Sequence, residues 1–120
     1  MKARPPQEQE MQDVLVGEQL SSVEFVQDYV QLRFDGPCLN AVTQPTVTSG
    51  GITYSWSSPG FRDALCALIT KRVARVRLLP EDCLRIGFEG GSEVAVSLKA
   101  EQRRGEEAVQ FSHGTKFIIL

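Results

Sequence analysis

The feature that most constrains this chain is a pattern it carries twice. FVQDYVQLRFDG at 25–36 and LLPEDCLRIGFEG at 78–90 both alternate apolar and polar residues, and both end on an aromatic residue, an acid and a glycine. Alternation at a period of two marks a strand with one buried face, and an acid followed by glycine marks a tight turn. Val30, Leu32 and Phe34 share one face, with Gln31 and Arg33 on the other. The match extends beyond the quoted phrases. Leu20 and Val73, Val23 and Val76, and Phe25 and Leu78 are related by an offset of 53. Asp28 and Asp82, Val30 and Leu84, Leu32 and Ile86, Phe34 and Phe88, and Gly36 and Gly90 are related by 54, so one residue is inserted near Pro80. Unrelated hairpins would share the alternation but not this aligned register.

Turns this short join antiparallel neighbours. Leu39 and Ala41 supply the outgoing strand of the first copy and residues 93–98 that of the second, while Pro45 ends the first copy or places it at an edge. The predicted fold class is therefore α+β, mainly antiparallel β: two duplicated three-stranded meanders at about 20–43 and 73–98, joined by one helix, plus a C-terminal β-hairpin. The helix is predicted at about 59–71. Ser58 is placed to cap it, Pro59 suits its first position, and Phe61, Ala64, Leu65, Leu68 and Ile69 form one apolar stripe.

Residues 1–12 are polar and hold two prolines, so a flexible lead-in is expected there and a single domain over 13–120. The tail reads as a hairpin turning at His113-Gly114, whose last strand ends in Phe117-Ile118-Ile119-Leu120. Such a run is expected to be central to the core or, failing that, to meet a second subunit by edge pairing.

Charge and cysteine use exclude some functions. Thirteen Lys and Arg against fifteen Asp and Glu, net -2, argue against a dedicated nucleic-acid binder. No long apolar run and no apolar segment behind Met1 points to a membrane or to export. Cys38, Cys66 and Cys83 are odd in number and widely spaced, which fits reduced thiols and a bacterial, cytoplasmic protein. Cys66, beside the helix stripe, and Cys83, at a strand start, read as small buried or half-buried hydrophobes.

Catalytic signals are sparse. One histidine and no close cysteine pair give no metal-ligand set, so no metal and no cofactor are expected. His113 lies in a turn without a nucleophile elbow or an oxyanion motif elsewhere. Gly50-Gly51 and Gly90-Gly91 lack the lysine and hydroxyl of a phosphate loop.

Two constellations remain. Tyr54 and Trp56 are amphipathic aromatics in a polar, glycine-bearing stretch, and with Phe117 and Ile119 they form the candidate interaction surface. Asp28 and Asp82, at matched places in the two copies, could with Arg75 and Arg77 line an alternative ligand site between the copies. The sequence thus favours a non-enzymatic protein-interaction or structural module, with a protein partner or a homodimer as the assembly. The alternative is a small-ligand-binding protein, or a hydrolase-like enzyme using paired acids at the repeat interface.

Overall fold

The computed structural model describes residues 4–120. The chain is α+β, with two five-stranded antiparallel sheets joined by helices. Its elements are α1 (Pro6–Leu15), β1 (Leu20–Val26), β2 (Tyr29–Phe34), β3 (Cys38–Ala41), β4 (Thr46–Ser49) and β5 (Ile52–Tyr54). They continue with α2 (Phe61–Cys66), β6 (Val73–Leu79), β7 (Cys83–Phe88), β8 (Glu93–Ser97), a 3-10 turn (Ala100–Gln102), β9 (Val109–His113) and β10 (Lys116–Ile119). The first sheet runs β1-β2-β3-β9-β10 and the second β5-β4-β8-β7-β6.

Alternation decides which face is buried. Val30, Leu32 and Phe34 of β2 and Leu84, Ile86 and Phe88 of β7 all point inward, and the inner faces of both sheets feed one buried cluster. Its rows cross the sheets in register: Leu32 opposes Leu39, which opposes Phe111, while Ile86 opposes Val94, which opposes Val47. Burying one such leucine or phenylalanine side chain stabilises the fold by about 1.5–3 kcal/mol.

Each sheet is completed by a hairpin from elsewhere in the chain. The β9–β10 hairpin joins β3 of the first sheet, and the β4–β5 hairpin joins β8 of the second. The sheets meet where β1 and β6 begin, around a bridge between Gln19 and Arg72. Leu20 N donates to Lys71 O (2.9 Å), as Val73 N does to Glu18 O (2.9 Å). Gly17 N donates to Val73 O (2.8 Å), as Thr70 N does to Leu20 O (2.8 Å). Moving every residue of one bond by 53 positions gives its counterpart. Gly17 (φ 89°) and Thr70 (φ 83°) accordingly share a left-handed backbone, which costs the β-branched threonine strain that glycine avoids.

Several expectations need correction. From Pro6 onward the flexible lead-in expected over 1–12 is instead helix α1; residues 1–3 lie outside the described residues. Pro6 starts this helix where no backbone N–H is needed, and Met11 and Leu15, one turn apart, are fully buried. The helix predicted at 59–71 is shorter, Phe61–Cys66, and left-handed Gly60 takes the cap position (φ 87°). The Ser58 hydroxyl instead bonds Ser55, accepting from its backbone N–H at 3.0 Å. The glycine-bearing stretch around Gly50-Gly51 is the turn of the β4–β5 hairpin, and Cys66 is exposed rather than buried.

Candidate functional site

The expected interaction residues lie in two places. Trp56 packs against Phe25 of β1 (ring centroids 6.1 Å) and Phe61 of α2 (5.5 Å), so it is half-buried and tied to the β1 edge. Tyr54, also half-buried, lies over Gly60, where an added Cβ would sit 3.2 Å from Tyr54 Cε1. Phe117 and Ile119 lie on β10, at the opposite edge of the same sheet. The four residues therefore do not form one surface.

The tail is not central to the core. β10 is an edge strand that buries Ile118 and leaves Phe117 and Ile119 65% and 47% exposed. Its hydrogen-bond pattern fixes where the backbone points. Leu120 and Val109 exchange both bonds, Leu120 N to Val109 O at 2.9 Å and Val109 N to Leu120 O at 3.3 Å. Antiparallel pairs alternate, so Ile118 with Phe111 and Lys116 with His113 are also bonded pairs. The N–H and C=O groups of Phe117 and Ile119 consequently face the free edge. This edge combines unpaired backbone groups with exposed apolar side chains.

Two of the other sheet margins differ from this one. Glu8 and Gln12 of α1 reach the β6 backbone: Leu78 N donates to Glu8 Oε1 (3.0 Å) and Val76 N to Gln12 Oε1 (3.4 Å). Glu8, only 2% exposed, is flanked by the guanidinium groups of Arg77 (3.6 Å) and Arg4 (3.6 Å). On β5 the outward position is Thr53, whose hydroxyl is bonded to that of Thr48 at 2.9 Å.

The alternative ligand residues are likewise dispersed. Arg75 pairs with Glu93 (3.7 Å) and lies across Gly87, while Arg77 pairs with Glu8. Asp28 pairs with Arg104 (2.5 Å) and Asp82 with Lys99 (3.8 Å). Both aspartates are thus held by cations of the same link, residues 98–108, which sequence reasoning left unexamined. Its KAEQRRG stretch was the available signal: a polar, doubly basic segment between two strands.

That link covers part of the outer face of the second sheet and borders a solvent-open cavity of about 430 Å³ with Thr43, Thr46, Ser97 and Gln102 among its walls. Among the described residues no group of His, Cys, Asp and Glu could hold a metal ion. Burial pushes the Cys38 thiol pKa up, with the Arg33 charge pulling it partly back, so the thiol stays protonated at neutral pH. No helix among the described residues is long and apolar enough to cross a membrane. The chain matches no family model, no curated protein and no solved structure.

Proposed function

We propose that this chain is a non-enzymatic interaction module that assembles through the free edge of β10, and that its partner there is a second copy of itself. The observation that carries this reading is the pairing of outward backbone groups at Phe117 and Ile119 with their exposed side chains. Such an edge templates another strand. A twofold axis at Ile118 would set Phe117 of each copy opposite Ile119 of the other, in a self-complementary contact of the kind that closes a dimer. In that register Lys116 faces Leu120, so no like charges oppose each other.

We also read the chain as a tandem duplication of one helix-and-five-strand unit. In this reading each unit keeps its three-stranded meander and lends its last hairpin to the other sheet. The support is the run of matched bonds at the sheet junction and the equivalent attachments of β9–β10 to β3 and of β4–β5 to β8.

Light scattering on the purified protein tests the assembly. The wild type is expected at about twice 13.3 kDa. Ile119→Pro removes an outward N–H without breaking a β9–β10 bond and is expected to run as a single chain. A wild type that stays at one chain mass throughout the micromolar range overturns the second-copy reading, even if it captures another protein.

A further inference from the structure

We propose that the cavity beneath the 98–108 link is a binding site for a small polar oxyanion, a carboxylate- or phosphate-bearing molecule that also carries hydroxyl groups. This goes beyond the β10 reading and does not depend on it.

The cavity exists because the two sheets fill matching positions differently. In the first sheet Asn40 of β3 opposes Gln110 of β9, and Asn40 Nδ2 donates to Gln110 Oε1 at 3.2 Å. The corresponding opposed pair in the second sheet is Ala95 of β8 and Thr46 of β4. These shorter side chains leave the outer face open where the amide pair occupies it. The links differ as well: residues 42–45 join β3 to β4 directly, whereas residues 98–108 bring a 3-10 turn across the gap before β9. The resulting solvent-open cavity measures about 430 Å³, within the range of small-molecule sites.

The walls specify the chemistry. Thr43 is 4% exposed, and its Oγ1 is buried with no hydrogen-bond partner. A buried hydroxyl left unsatisfied costs free energy, which an acceptor atom on a ligand would recover once Thr43 turns its Oγ1 toward the cavity. Lys99 and Arg104 bring two cations to the same cavity, and Gln44 and Gln102 add amide groups. Their carboxylate partners, Asp82 and Asp28, form pairs that are about half exposed, and pairs of that kind are weak enough for a ligand oxyanion to compete. Asp82 also lines the cavity and would accept a hydrogen bond from a ligand hydroxyl. No leucine, isoleucine, valine or aromatic side chain lines the cavity, so its specific contacts are polar.

Titration of the full chain, followed by backbone amide NMR shifts, tests the site with four probes: inorganic phosphate, glycerol 3-phosphate, malate and neutral glycerol. Saturable shifts at the amides of Ser97, Lys99 and Gln102 are expected with glycerol 3-phosphate or malate, and which of the two binds more tightly distinguishes a phosphate from a carboxylate ligand. Thr43→Val is expected to weaken that binding about tenfold while leaving the melting temperature unchanged or raised, because it removes an unpartnered hydroxyl. Arg104→Gln, a change at an exposed position, is expected to weaken it by a similar factor. The proposal is overturned if none of the three anions gives saturable shifts to about 10 mM. Equal response to glycerol overturns it too, as does unchanged affinity in both variants.

Discussion

β10 and β5 hold the same place in their sheets, the outer strand of a hairpin added to a meander, yet they present opposite edges. β5 is three residues long and also exposes Ile52, but the residue whose backbone faces outward is Thr53, with its hydroxyl engaged by Thr48. β10 turns Phe117 and Ile119 outward with nothing over them. A very short edge is a common protection against unwanted strand pairing, and a longer apolar one invites it. At the β6 margin, by contrast, α1 places a carboxylate and an amide where another strand would bond. The lesson is that one fold can cap one of its margins with a helix, keep another very short and leave a third long and apolar.

The most damaging change should be at the capped margin. Glu8→Ala strips the acceptor from Leu78 N–H and leaves Arg77 without its partner, and a loss of about 2–3 kcal/mol is expected in urea unfolding. Trp56→Ala, which empties the aromatic contact between β1 and α2, is expected to cost about 2 kcal/mol by the same measurement. Converting β10 to the chemistry of β5 with the double change Phe117→Thr and Ile119→Thr should cost the monomer under about 1 kcal/mol while abolishing the dimer in light scattering.

A smaller effect should appear at the sheet junction. Thr70→Gly gives Thr70 the residue that Gly17 already has at the matched left-handed position, and a gain of up to about 1 kcal/mol is expected in thermal unfolding. The mildest test is chemical. Cys66 is exposed, whereas Cys38 is half-buried with a raised pKa, so a thiol reagent at pH 8 should label Cys66 first. Because the folded state favours the protonated Cys38 thiol, this residue should lower stability as pH rises through the unfolded thiol range toward the raised folded value.

The meanders were legible because more and less buried positions alternate throughout β2 and, as far as Ile86, in β7, which lets a single period reveal both strand and face. Helix α1 was not legible: its apolar anchors are only Met11 and Leu15, and its most informative residue, Glu8, is a buried acid whose partner lies 70 positions away. Polar threonines hid β4 and β5, since the strand character of β4 comes from pairing with β8, and that of β5 from pairing with β4, rather than from alternation of apolar residues. Phe117 and Ile119 were flagged because a terminal apolar run is conspicuous. The cavity went unseen because Thr43 and Arg104 come together only when the 98–108 link folds over the second sheet, in which β4 and β8 pair across a long stretch of sequence.

Amide hydrogen exchange tests the central claim most directly, because it reads the backbone groups of β10 themselves. The N–H groups of Phe117 and Ile119 are predicted to exchange more slowly as protein concentration rises, while that of Thr53 on β5 does not change. Exchange at Phe117 and Ile119 that is independent of concentration and as fast as at Thr53 would contradict pairing through β10.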